Sequence, residues 1–136
     1  MNNMPNITKR ERDFLLIIGN NRNSRFPVRI SHLARQLEMK MPTAEEIAER
    51  LVSKGLLYKE RGLLVLSDEG FRCYKDITMK HRAMETLLAD CGIDADEACR
   101  EVSSFDYLLY NKSAKKIIEK LGNPEKCPHG RNIVEG

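Results

Sequence analysis

The apolar pattern of residues 8–66 changes character once, and that change narrows the folds open to the chain. Before Gly55, apolar residues recur at spacings of three and four, as along the buried stripe of a helix. After it come two short apolar runs, Leu56-Leu57-Tyr58-Lys59 and Leu63-Leu64-Val65-Leu66, parted by Glu60-Arg61-Gly62. Paired runs around a glycine-bearing turn predict a β-hairpin.

The helices before the switch have recognisable starts. Thr8-Lys9-Arg10-Glu11 fits a capping box, so a first helix is expected over 8–20, with Phe14 to Ile18 as its apolar run. Asn20 to Pro27 is turn-rich and carries Arg22 and Arg25. A second helix over 31–38 begins at Ser31 and buries Leu33, Ala34 and Leu37. Pro42 is expected to break the chain. Thr43-Ala44-Glu45-Glu46 reads as another capping box, opening a third helix with Ile47, Ala48 and Leu51 inward. Gly55 supplies its left-handed stop.

After the hairpin, Ser67-Asp68-Glu69 caps a long helix over 68–89 with Tyr74, Ile77, His81, Met84 and Leu88 on one face. Gly92 ends it. Asp94-Ala95-Asp96-Glu97 caps the next helix, expected to turn Ala98, Val102, Phe105 and Leu109 inward. A last helix over 112–121 stops at Gly122 and Pro124. The tail through Cys127-Pro128-His129-Gly130 reads as irregular. Neither an internal repeat nor a low-complexity segment interrupts the chain.

Composition removes several classes. No apolar run approaches the ~18 residues that span a bilayer, and Met1 to Thr8 lacks the pattern of a secretory signal. Four cysteines without framework spacing read as reduced thiols, which points to the cytoplasm. At 136 residues, the chain can bury one good core with a second small subdomain. The charge is uneven: residues 1–62 carry twelve Lys and Arg against seven Asp and Glu, whereas residues 63–136 carry eleven against thirteen.

Helix, helix, turn, helix, hairpin is the order of a winged helix-turn-helix, whose third helix enters the major groove while the hairpin tip reaches the backbone. The expected fold is therefore mainly α: a winged helix-turn-helix over 1–70, then a helical domain over 71–136. Candidate DNA contacts are Arg29, Lys40, Pro42, Thr43, Glu46, Arg50 and Arg61. A basic first half suits phosphate binding, but the same cations fit a winged helix that contacts another protein. Glu45, Glu46 and Glu49 cut against DNA. Glu46 is explained as the capping partner of Thr43, while Glu45 and Glu49 either accept from cytosine amines or face solvent.

His81 and Glu85 stand one helical turn apart. Cys99, Ser103, Asp106 and Tyr107 form a polar stripe on the following helix, and two antiparallel helices would join the stripes around a divalent ion. From spacing alone a satisfied core histidine is the more economical reading of His81. Cys73 and Cys91 read as plain thiols. Cys127 and His129 read as a structural tail feature, since a structural zinc site needs four ligands. A Cys/His nucleophile pair lacks an orienting third group and a glycine-rich frame, so an enzyme is not expected.

An ordered set of short motifs adds to this. Pro27-Val28-Arg29 through Leu33-Ala34, Ser53-Lys54-Gly55-Leu56 and Arg61-Gly62-Leu63 to Leu66-Ser67-Asp68-Glu69-Gly70 belong to it. Lys80-His81-Arg82 to Glu85, Gly92-Ile93-Asp94 and Cys127-Pro128-His129-Gly130 complete it. From about Arg10 to Ile133 the chain resembles the iron-dependent repressor family, which includes the diphtheria toxin repressor and the shorter manganese transport regulators. By this resemblance the chain is expected to be of the shorter form, without the barrel-like domain of the longer members.

The resemblance implies a DNA-binding repressor whose second domain binds metal and dimerises. It implies a homodimer on a double-stranded operator, with iron(II) or manganese(II) as effector and zinc or cobalt admitted. Two alignments compete for Cys99. Matching Glu97-Ala98-Cys99-Arg100 to a family segment opens a gap after Gly92; aligning Gly92-Ile93-Asp94 and Leu121-Gly122 needs almost none. The latter puts Cys99 at an ancillary histidine position, Ser103 at a Cys/Glu position, Asp106 at a Glu position and Tyr107 at a His position. Asp13 falls where manganese-type members have a carboxylate. The implied ligands are thus Asp13, His81, Glu85, Cys99 and Asp106, with Ser103 and Tyr107 as losses. One rearranged site per subunit is expected. Dimerisation is assigned to Leu108, Leu109, Ile117 and Ile118. The alternatives are a regulator with a degenerate site, metal-independent or thiol-responsive through Cys99, and a winged-helix protein-interaction module.

Overall fold

The computed structural model describes residues 4–134. These form two compact units, Pro5–Tyr74 and a second made of residues 75–134 with Met4. The division falls inside one long helix; the sequence reading placed it after residue 70, in the same element.

In the first unit, α1 (Lys9–Asn20) starts as its sequence predicts. The Thr8 hydroxyl accepts from the Glu11 backbone N–H while the Glu11 carboxylate accepts from that of Thr8, a complete capping box. Then come β1 (Val28–Arg29), α2 (Ile30–Gln36), α3 (Met41–Ser53), β2 (Leu57–Glu60) and β3 (Leu63–Leu66). The sheet order is β1-β3-β2, antiparallel throughout, with Tyr58 opposite Val65 and Val28 opposite Leu64. β1 has two residues, too few to leave a periodic signal, and sequence reading missed it. Phe14, Leu15 and Ile18 of α1, Leu33 of α2, and Ile47 and Leu51 of α3 are buried, with Leu64 of β3. Arg61 and Gly62 close the hairpin at φ of 50° and 76°, the doubly left-handed turn that matches strand twist.

Two expectations about α3 are corrected. Its N-cap is Lys40, so Thr43 lies inside the first turn and forms no capping box with Glu46. Pro42 does not break the chain; it sits in that first turn, where its missing N–H costs nothing.

α4 (Asp68–Asp90) opens with the Gly70 N–H donating to Ser67 Oγ at 3.0 Å. In the second unit, α4 is followed by α5 (Ala95–Ser103), a 3-10 turn (Asp106–Leu108) and α6 (Asn111–Lys120). Asp94 caps α5 by accepting from Asp96 and Glu97 N–H groups. The helix expected to carry Ala98 through Leu109 ends at Ser103 instead, and Phe105 at φ −143° redirects the chain into the 3-10 turn. The core is Met79, Ala83, Ala114, Cys127 and Ile133, with Leu109, Ile117 and Ile118 packed against it. Three of the four residues assigned to dimerisation are thus partly used inside the chain, while Leu108 remains 61% exposed. The tail is ordered: Cys127 N–H donates to Arg131 O, and Lys126 bridges to Asn132.

Candidate metal centre and nucleic-acid interface

The first unit presents every candidate DNA contact on its surface. Arg29 caps α2, Lys40 caps α3, Pro42 and Thr43 form its first turn, Glu46 and Arg50 follow along it, and Arg61 stands at the wing tip; all are exposed. The acidic residues of α3 have local partners. Lys59 of β2 donates to Glu45 at 2.5 Å and to Glu49 at 2.9 Å. These two hydrogen bonds hold the Lys59 ammonium above the ordinary lysine range. Glu46 pairs with Arg50 at 3.5 Å. An acidic helix is therefore partly neutralised from the wing, which sequence reading missed because the pairing depends on α3 packing beside β2.

Asp13 also belongs to this unit. Its Oδ1 accepts from Lys9 Nζ at 2.6 Å and from Arg12 at 2.9 Å.

In the second unit the donor atoms of His81, Glu85 and Cys99 all lie within 4.8 Å of one another. Helical spacing puts His81 above Glu85 on α4, with Nε2 3.4 Å from Glu85 Oε2. α5 supplies Cys99, whose Sγ is 3.4 Å from the same Nε2. Asp106 takes another place. Its fully buried carboxylate accepts from His81 Nδ1 at 2.9 Å, behind the ring rather than among the converging atoms. With its Nδ1 held by the Asp106 carboxylate, the ring directs Nε2 toward Cys99 and Glu85. This is the arrangement by which an outer carboxylate orients a ligating histidine.

The remaining stripe residues do not join. Ser103 Oγ donates to the Cys99 carbonyl at 2.8 Å, and Tyr107 sits half-buried in the 3-10 turn. The end of α5 at Ser103 breaks the register on which that stripe depended.

His129 arrives instead. Its Nδ1 lies 3.2 Å from Glu85 Oε1, and its Nε2 2.8 Å from Asp96 Oδ1. Asp96 first, then Glu85, hold its imidazole above the ordinary histidine range. With His81, Glu85 and Cys99, it lines a cleft of about 180 Å³ that Arg82, Cys127 and Arg131 complete. Glu85 is 1% exposed, and among the described residues its Oε1 forms no hydrogen bond, although His129 Nδ1 lies 3.2 Å away. A buried carboxylate oxygen left unsatisfied, facing nitrogen and sulfur donors, fits a divalent cation.

The family model described as iron dependent repressor, metal binding and dimerisation domain matches residues 67–135, which hold this whole cluster. The chain belongs to the iron-dependent repressor family. An uncharacterized HTH-type transcriptional regulator of Aeropyrum pernix is 30% identical over 108 residues, covering 78% of this chain and 59% of the relative. The iron-dependent repressor IdeR of Mycobacterium leprae is 28% identical over 105 residues, covering 76% of this chain and 46% of the relative. The chain thus spans about half the length of the curated relatives it matches.

Solved structures agree on the fold of this iron-dependent repressor family chain. A hypothetical protein of Sulfolobus solfataricus superposes with a TM-score of 0.81 at 31% identity, covering 95% of this chain and 100% of the other. A manganese-dependent transcriptional repressor in complex with manganese gives 0.81 at 28% identity, covering 93% of this chain and 59% of the other. Of the residues that the resemblance implied as ligands, it is Cys99 that stands beside His81 and Glu85.

Proposed function

We propose that this chain is a metal-responsive transcriptional repressor, a cytoplasmic homodimer that binds double-stranded DNA and has no catalytic role. The convergence of His81, Glu85 and Cys99 inside the matched metal-binding domain carries the reading. No helix among the described residues is long and apolar enough to cross a membrane. Exposed Leu108 and Tyr110 supply apolar surface for a second copy.

His81, Glu85 and Cys99 would hold the ion, iron(II) or manganese(II) by family, with zinc and cobalt favoured by the thiolate. A bound divalent cation supplies the positive charge that keeps a buried carboxylate and a thiolate together. The protein's own part is to fix His81 through Asp106 and to keep Glu85 out of water. Asp13, which the family resemblance implies as a ligand, remains part of the proposal; any metal it takes must displace Lys9 and Arg12 from it. The ion controls operator binding only insofar as it binds the operator-competent form more tightly. On DNA, Lys40, Thr43 and Arg50 serve the groove, and Arg29 and Arg61 the phosphates.

Selection of duplexes from a random-sequence pool, with manganese(II) or iron(II) or with chelator, tests this. A two-fold symmetric site enriched with metal alone is expected. Equal enrichment in chelator would remove metal control, and no enrichment in either arm would remove the DNA reading.

A further inference from the structure

Resting on the DNA-binding reading above, we infer that Glu46 sets base specificity: its carboxylate, held by Arg50, selects a cytosine in each half-site. The operator is thereby assigned a C·G pair where the second turn of α3 enters the groove.

The outward side of α3 divides into two rows. Glu45 and Glu49, four residues apart, both accept from Lys59 of β2, so their carboxylates are taken up on the wing side. Thr43, Glu46 and Arg50, at spacings of three and four, form the neighbouring row, and all three are exposed. Glu46 has no capping duty, because Lys40 holds the cap position. Its side chain is 71% exposed. Oε1 accepts from Arg50 at 3.5 Å, and among the described residues Oε2 has no partner. One acceptor therefore stays open at the surface that faces the groove.

This surface pair is anchored from inside. Arg50 Nε lies 3.7 Å from Glu11 Oε2, and Glu11 has no exposed surface. Lys54 fixes that carboxylate at 2.8 and 3.0 Å, and the Thr8 N–H at 2.8 Å. Holding the guanidinium by its stem nitrogen leaves a terminal nitrogen for Glu46. A bare carboxylate is repelled by the phosphates that flank a groove, whereas one paired with arginine brings no net charge there. Arg50 is thus the positioning residue, and Glu46 touches the base.

The chemistry of the base edges decides which base. An ionised carboxylate only accepts hydrogen bonds. In the major groove guanine presents O6 and N7 and thymine presents O4, all acceptors that repel it. Adenine sets its N6 amine beside the N7 acceptor. Cytosine offers its N4 amine alone, and its edge complements Glu46.

The test takes the duplex selected from the random pool and every single-base-pair variant of one half-site. Binding of the full chain to each is read by fluorescence anisotropy, with manganese(II) and with chelator. Wild type should show one position where replacing cytosine weakens binding by about 5–100-fold. Glu46→Gln should move the preference at that position from cytosine to adenine, since an amide both accepts and donates, and leave the other positions unchanged. Glu46→Ala should lose the preference there while binding random duplex as tightly or more so, because a negative charge is gone. Arg50→Lys keeps the charge but not the two-sided hold, and should flatten the same position. Circular dichroism checks that each variant keeps its helices. An identical base profile in wild type and Glu46→Gln, or a uniform rise across all duplexes in Glu46→Ala, overturns the role of Glu46 and leaves DNA binding standing. A wild type that binds no duplex under either condition overturns the DNA reading itself.

Discussion

Lys54 at the end of α3 donates to both carboxylate oxygens of Glu11 in α1, at 2.8 and 3.0 Å, and Glu11 has no exposed surface. Burial pushes this carboxyl up, but the Lys54 ammonium and the Thr8 backbone and hydroxyl outweigh it, and the net shift is down from 4.5. A group whose folded value lies below its unfolded one stabilises fully above the unfolded value and loses that contribution as pH falls through the folded one. Thermal melts should therefore show an acid loss below about pH 4.5 that Glu11→Gln lacks. The variant should be less stable at neutral pH by about 1–3 kcal/mol, the scale of hydrogen bonds to charged groups. A parallel pH profile in both proteins would contradict the assignment.

Gly70 packs where no side chain fits. A Cβ there would stand 2.0 Å from the carbonyl oxygen of Leu56, which is backbone and cannot swing aside. Gly70→Ala should destabilise the fold by about 1–3 kcal/mol or more despite alanine's better helix propensity. Urea unfolding measures this, and a neutral or stabilising result would show that α4 can shift away from Leu56.

Arg61 sits at the wing tip with φ of 50°, a conformation that favours glycine. Arg61→Gly should leave the melting temperature unchanged or slightly raised. It should nonetheless weaken duplex binding and lower the slope of log affinity against log salt by about 1, the mark of one lost phosphate contact. An unaltered slope would take Arg61 off the DNA.

Asp106 orients His81 and donates no atom to the converging set. Asp106→Asn can offer its amide N–H to Nδ1, which drives the ring proton to the nitrogen needed for metal. Isothermal titration with zinc should show affinity lowered by about 10–100-fold with the stoichiometry unchanged. Loss of a whole ligand, with altered cobalt bands, would instead restore Asp106 to the coordinating set that the sequence resemblance gives it.

What was legible along the chain was what neighbours in sequence decide. The α1 capping box, the apolar stripes of α1 and α3 and the Arg61-Gly62 hairpin depend on contacts across a few residues, and they stand as read. His81 and Glu85 were readable as a pair because helix geometry alone puts them on one face. Local rules failed where two of them competed. At α3, Lys40 took the cap from Thr43 because Pro42 is at home in a first turn. At α5, the helix stopped at Ser103, and a stripe drawn on a continuous helix lost its second half.

The sequence by itself determined a winged helix-turn-helix followed by helices, and a His/Glu pair on one of them. Only the folded chain decided that Lys59 neutralises Glu45 and Glu49, that Asp106 lies behind His81, and that His129 faces Glu85. Periodicity and capping are encoded within a helical turn or two, whereas these encounters join residues far apart in the chain. They follow from which faces must leave water together, a choice the whole core makes at once.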